Sequence, residues 1–331
     1  MIEKRTVFVL GAGASCPYGF PTARGLRSDI IASFTLRYEN LLEGRERRGV
    51  PGVNDAYPRP EAAEKFVERF DRSSTESVDL FLSRNPALAR IGKMAICTSI
   101  LFGEQNSRFR EHVKDPNQDW YFHLFSRLSR DLTEEDGIQD FAKNNVAFIT
   151  FNYDRSLEHF LYESVLNSFG GADTTTAGEQ VEQLPIIHVY GTLAPLGWQD
   201  PEWKNRLEYG NYAALPQLNL PLLSDNLHIV HEKRENPNIE KAREQISQAD
   251  RIFFLGFGYA KENLEALGLP GILKPAQRVY GTAMGFTDKE TRDMHSLLAG
   301  GLKYPQKPEE DTRGKVHLKN FDCVALLREF L

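Results

Sequence analysis

Cysteine is scarce in this chain: three among 331 residues, at positions 16, 97 and 323, with no Cys-x-x-Cys step. That excludes a zinc ribbon and a disulfide framework, fits a reducing compartment, and leaves no metal site to propose. Long apolar runs are absent as well. None approaches the ~20 residues that cross a bilayer, and the N-terminus does not have the build of a secretory signal, so the expected location is the cytoplasm, with no membrane partner. Basic charge is not in excess either. Net charge is -6 with 26% charged residues, and the densest basic cluster, Arg45-Glu46-Arg47-Arg48, reads as a solvated loop. Nucleic acid is therefore not an expected direct partner. Internal repeats and low-complexity tracts are missing, and the length suits one large domain with insertions, or two domains, around a substantial core.

What is present begins at Thr6. Thr6-Val7-Phe8-Val9-Leu10 is a short, apolar, β-branched run of the kind buried on both faces of a parallel sheet, and it stops at Gly11. Gly11-Ala12-Gly13-Ala14-Ser15 then offers residues small enough for a phosphate to approach the backbone, and Pro21-Thr22-Ala23-Arg24-Gly25-Leu26 can open a helix. Exposed N–H groups and a positive helix end are the usual means of holding a nucleotide pyrophosphate. A Rossmann dehydrogenase is disfavoured, because Cys16 stands where Gly-x-Gly-x-x-Gly needs its third glycine.

Further strands are expected at Asn145–Phe151, Leu184–Val189, Arg251–Leu255, Gln277–Thr282 and near Lys315–Leu318, separated by helical patterns. Short apolar strands alternating with helices predict an α/β fold, a Rossmann-like doubly wound parallel sheet with a large helical insertion. The expected division is core at 1–34, helical insertion at 35–144, core at 145–193, irregular insertion at 194–247 and core at 248–331. Within it, Ala23–Phe34 reads as a helix, Gly44–Pro60 as an exposed loop, Gly170–Gly178 as a flexible surface link, and the proline-rich Ala194–Pro237 as irregular. The helical block from Glu61 and the irregular segment are expected to cover the cleft.

Ligands of an open parallel sheet bind outside the carboxyl ends of its strands, and four such ends carry distinctive residues: Gly11–Ser15, Phe151–Asp154, Tyr190–Leu193 and Gly256–Gly258. Read as a unit, GAGASCPYGFPTAR resembles, without a gap, the nucleotide loop of the sirtuin family: Gly-Ala-Gly-x-Ser, three residues, Gly-x-Pro, two residues, Arg. Thr150–Asp154 resembles the family's Thr-Gln-Asn-x-Asp segment, His188–Leu193 its His-Gly-x-Leu segment, and Leu255–Tyr259 its Gly-Thr-Ser segment. The likeness covers about half the chain, and the helical insert after Phe34 is more similar to bacterial sirtuin-like proteins than to protein deacylases. The four zinc cysteines of the deacylases are missing, and Tyr190 stands at the family's catalytic histidine, with His188 two residues earlier.

The resemblance implies NAD as substrate, bound by Gly11, Ala12, Gly13, Ser15, Pro21, Arg24, Asp154, Gly191, Gly256 and Gly258, with Asn152, His188 and Tyr190 catalytic. It implies an NAD hydrolase releasing nicotinamide and ADP-ribose, akin to effectors of antiphage defence, with a protein partner or homo-oligomer controlling activity. Cleavage builds positive charge on the ribose while nicotinamide leaves neutral, so the protein must supply orientation, a dry site and an aligned water. Asn152 can bond a ribose hydroxyl or that water through either end of its amide, or it can cap a helix; Asp154 also fits a capping role. Residues two apart on a strand share a face, about 6.6 Å apart, which lets a neutral His188 point into the same cleft as Tyr190 and accept a proton. Tyr190, with an ordinary pKa of about 10, is a positioning donor rather than a base. A non-catalytic sensor of NAD or an ADP-ribose derivative is the alternative, and protein deacylation lacks any visible peptide groove.

Overall fold

A computed structural model describes residues 1–50, 54, 56–107, 119–132, 137–203, 207–229, 236–303 and 311–331. Six parallel strands form one sheet: β1 (Thr6–Leu10), β2 (Val146–Thr150), β3 (Ile186–His188), β4 (Arg251–Leu255), β5 (Arg278–Thr282) and β6 (Val316–Lys319), in the order 3-2-1-4-5-6. This is the expected Rossmann-like sheet. β1 and β2 are buried at every position, because helices cover both faces and the sequence supplies unbroken apolar runs there. Register places Phe8 beside Phe148 and Phe253, and their rings lie 5.3 and 5.4 Å apart; Phe253 stacks in turn on Tyr280 at 4.7 Å. One aromatic row thus crosses the four central strands. Leu10, Thr150 and Leu255 are paired in register at the strand ends, so the loops that follow β1, β2 and β4 leave the sheet at one level. The chain runs outward from β1 to β3, then returns to place β4 on the other side of β1, which makes the gap between β1 and β4 the topological switch point.

Several expectations need correction. The helix that starts at Ala23 runs to Glu46, well past Phe34, because Tyr38, Leu41, Leu42 and Arg45 continue its buried stripe. Arg45 is not solvated: its guanidinium lies 4.0 Å from the Tyr57 ring and donates to the Tyr57 hydroxyl at 3.1 Å. The expected loop from Gly44 therefore begins inside a helix, and residues 51–53 and 55 of it lie outside the described residues. Thr174–Glu182 is helical where a flexible link was expected; Asp173 caps it by accepting from the Thr176 N–H at 2.7 Å, and Gly178 lets Trp198 pack against it. Composition alone, rich in Thr and Gly, hid the cap. Between Ala194 and Asn236 the described residues hold one 3₁₀ turn, Tyr212–Gln217, and one six-residue helix, Leu220–Asp225, in otherwise irregular chain.

The helical block packs into the same hydrophobic core as the sheet. Its helix Trp120–Ser129 reaches the loop after β1: Trp120 Nε1 donates to the Ala14 carbonyl at 2.8 Å, and Tyr121 stacks on Tyr18 at 4.1 Å. Its helix Ala89–Gln105 carries Glu104, which accepts from Arg155 at 2.6 and 2.9 Å. Both side chains of that pair are almost fully buried, at 0% and 1% exposure, so the block is clamped to the start of the helix Ser156–Ser168 rather than hung beside the sheet. Among the described residues no helix is long and apolar enough to cross a membrane.

Candidate functional site

A cavity of about 1040 Å³ lies at the switch point, lined by residues that follow the carboxyl ends of β1 to β5. That volume lies just above the ~300–1,000 Å³ usual for small-molecule sites. It brings together eleven of the residues singled out from the sequence: Gly11, Ala12, Gly13, Ser15, Pro21, Arg24, Asn152, Asp154, Tyr190, Gly256 and Gly258. The N-terminus of the helix Ala23–Glu46, with Thr22 capping the Gly25 N–H at 3.1 Å, also lines it. His188 and Gly191 do not. Gly191 has a φ of +79°, and a Cβ there would meet the Asn226 carbonyl at 2.0 Å, so the turn itself demands glycine.

The glycines after β1 and β4 pack against each other. A Cβ on Gly11 or Gly13 would come within 2.6 or 2.8 Å of the Gly256 carbonyl, and Gly256 has a φ of +56° with Ala14 N 2.0 Å from where its own Cβ would stand. The expectation that Gly11 and Gly13 hold their N–H groups for a pyrophosphate needs correction: Gly11 N donates to Leu255 O and Gly13 N to Gly256 O, both at 3.0 Å. These glycines join two strand-end loops. Gly258 differs, since nothing lies within 4 Å of a Cβ built on it and it still lines the cavity.

Asn152 is the most tightly specified polar residue of the lining. Its N–H donates to Thr150 Oγ1 at 3.0 Å, and its Nδ2 donates to Gly11 O at 3.1 Å and Ser15 Oγ at 2.9 Å. Its carbonyl faces His188 Nδ1 at 2.9 Å. Among the described residues, Oδ1 is its only polar atom with no partner. The structure thus narrows the sequence expectation: the amide's donor end is engaged, and the acceptor end is left for a ligand hydroxyl or a water.

His188 is 8% exposed and has both ring nitrogens engaged. Asn152's carbonyl can only accept, so Nδ1 carries a proton, while Nε2 lies 2.5 Å from Glu158 Oε1. Burial works against a charged ring here, but the Glu158 carboxylate and the two hydrogen bonds outweigh it and hold the His188 pKa above its ordinary 6.5. A neutral His188 taking a proton from the cleft, as the sequence suggested, does not fit this arrangement. Asp154 accepts from Ser156 N at 3.1 Å and from the Ser156 hydroxyl, at the start of the helix Ser156–Ser168. Burial pushes its carboxyl above the usual range, with the hydrogen bonds from Ser156 and Ser15 opposing.

Tyr190 donates to Asn263 Oδ1 at 3.1 Å and packs edge-on to Phe151, whose ring is 5.2 Å from Phe257. Burial, then the charges of Asp79 and Glu262, raise its pKa, which keeps it a donor. Asp79 comes from the helical block. Tyr153's hydroxyl lies 2.8 Å from Asp79 Oδ1 and 2.9 Å from the His228 carbonyl. Burial raises the Asp79 pKa above its ordinary value, with the hydrogen bond from the Tyr153 hydroxyl opposing. Glu76, Glu262 and Asp322 add further carboxylates to the lining, against Arg24, an exposed guanidinium paired with Glu76 at 3.2 Å.

Three residues of this site escaped the sequence reading. Asn263 follows the Gly256–Gly258 loop but carries no pattern of its own; Asp79 sits in the insertion, and Glu158 is separated from His188 by 30 positions. The irregular segment also departs from expectation, since none of its described residues lines the cavity. Among the described residues no group of three or more His, Cys, Asp or Glu is placed to hold a metal ion. No protein-family model matches the chain, and no curated protein matches it.

Proposed function

We propose that the chain binds NAD in the switch-point cavity and hydrolyses its nicotinamide–ribose bond, giving nicotinamide and ADP-ribose. The observation that carries this reading is Asn152, locked by its Nδ2 on Gly11 and Ser15 so that Oδ1 alone is left to accept from a ribose hydroxyl or an attacking water. The resemblance of Gly11–Arg24 and Thr150–Asp154 to sirtuin segments supports NAD as the ligand, as does the size of the cavity. Phe151, Phe257 and Tyr190 supply apolar and aromatic surface suited to a nicotinamide ring. Carboxylates in the lining favour the positive charge that grows on the ribose, and a neutral leaving group spares the site a strong general acid. The resemblance also supports the wider proposal of a defence effector under the control of a partner or oligomer.

The test is incubation of purified protein with NAD and chromatography of the products, beside Asn152→Ala. Nicotinamide and ADP-ribose from the wild type, falling by about 10² or more in Asn152→Ala with its melting temperature kept, is the expected result. One observation favours a second reading, a non-catalytic sensor: His188 has no free ring nitrogen for a proton from the cleft. NAD binding without turnover would select that reading, and neither binding nor turnover would end both.

A further inference from the structure

We infer that Glu158 is a positioning residue, which acts through His188 to fix the main chain of Asn152 and so the angle at which Asn152 Oδ1 enters the cavity. The inference rests on the reading that Asn152 is the residue working on the ligand. Asn152 lies between the end of β2 and the helix Ser156–Ser168, where no backbone N–H of the described residues bonds its carbonyl. His188 Nδ1, from β3, takes that place at 2.9 Å.

A ring held by one hydrogen bond can still rotate. Glu158 removes that freedom, because its Oε1 lies 2.5 Å from Nε2 on the far side of the imidazole, with the Glu158 and His188 side chains only 5% and 9% exposed. The chain of contacts runs carboxylate, imidazole, peptide carbonyl, and it ends on the residue whose side-chain amide donates to Gly11 O and Ser15 Oγ. A small tilt of the 152 peptide would turn Oδ1 within the cavity without removing any group from the lining. Such a displacement changes the alignment of the reacting atoms more than ligand binding, which is the effect of a positioning residue rather than a catalytic one.

The experiment replaces Glu158 by Ala, Asp and Gln in the full chain. Glutamine keeps the length, and its amide can donate to Nε2 while a neutral His188 still donates from Nδ1; aspartate keeps the charge but withdraws it by one methylene. The expected result is that kcat for NAD falls by about 10- to 100-fold in Glu158→Ala and Glu158→Asp, while KM stays within about twofold and Glu158→Gln keeps most of the turnover. Should Glu158→Ala fail to fold, the comparison of Asp with Gln carries the same contrast.

Equal turnover in Asp and Gln variants, or a full kcat in a folded Ala variant, overturns the inference. If the wild type cleaves no NAD, the hydrolase reading has failed separately. The inference is then judged by the side-chain amide resonance of Asn152, assigned by its loss in Asn152→Ala: displaced in Glu158→Asp and restored in Glu158→Gln upholds it, and an unmoved signal overturns it.

Discussion

At the scale of single residues, the glycines separate into two kinds that the sequence presents alike. Gly11 and Gly13 read as room for a phosphate, yet the room is filled by the backbone of the loop after β4. Sequence patterns record that a small residue is needed and cannot record whether the neighbour is a ligand or another stretch of the same chain. Gly258 has the open position. Gly13→Val should therefore destabilise the fold, because its Cβ would stand 2.8 Å from the Gly256 carbonyl and backbone must shift. Gly258→Val should fold normally and weaken NAD binding by about tenfold or more by intruding on the cavity. Calorimetry with NAD, beside thermal melts, checks the pair: a stable Gly13→Val, or a Gly258→Val with full affinity, would contradict this division. Asn152 and Tyr190 were legible as candidates because they end strands, whereas the engaged state of His188 was not, since its partner Glu158 lies on a helix whose facing cannot be read from a histidine two residues before a tyrosine.

At the scale of elements, the strands were the most legible part. β1, β2 and β4 are apolar runs with a clear stop, and β1 falls on the expected residues. Helix limits were less so, because the stripe that prolongs Ala23–Glu46 includes Arg45, a residue that looks solvated until Tyr57 and Leu218 are seen around its guanidinium. The insertion was recognised as helical, but its attachment was hidden, being made by pairs distant in sequence such as Glu104 with Arg155 and Trp120 with Ala14. The first pair predicts a measurable clamp. Glu104→Ala leaves the buried Arg155 guanidinium with no carboxylate hydrogen bond among the described residues, only carbonyl acceptors, of which Leu207 O at 2.9 Å is the nearest, and the Tyr209 ring 6.0 Å away, and should lower unfolding stability by about 3–5 kcal/mol. Chemical denaturation followed by circular dichroism measures it. A loss below about 1 kcal/mol, the range of an exposed pair, would mean that the block is not held by this contact.

At the scale of the whole molecule, the topology places the cavity where an open parallel sheet reverses its strand order, and the insertion then closes one wall with Asp79 and its neighbours. The site is consequently rich in partly or fully buried acids, and this has a consequence for stability against pH. Asp79 and Asp154 have pKa values raised by burial, and His188 has one raised by Glu158. For all three the folded protein holds its proton more tightly than the unfolded chain does. Their contribution is complete below the unfolded values, 3.8 for the aspartates and 6.5 for the histidine, and is lost as pH climbs through the folded ones. The exposed carboxylates Asp131, Asp173, Glu290 and Asp311 shift the other way, downward, so their contribution is already established above about pH 5. His123 and His317, lowered by burial and neighbouring cations, add stability as pH rises toward 6.5, but both are partly exposed and screened. The balance predicts a melting temperature that declines from pH 5 to pH 8 in ligand-free protein, with the section above pH 6.5 flattened in Glu158→Gln, where the neutral ring no longer gains a proton on folding. Scanning fluorimetry across that interval decides it: a melting temperature that rises toward pH 8, or an unchanged slope in the Gln variant, would show that the His188–Glu158 proton and the buried cavity acids do not govern the pH response of the fold.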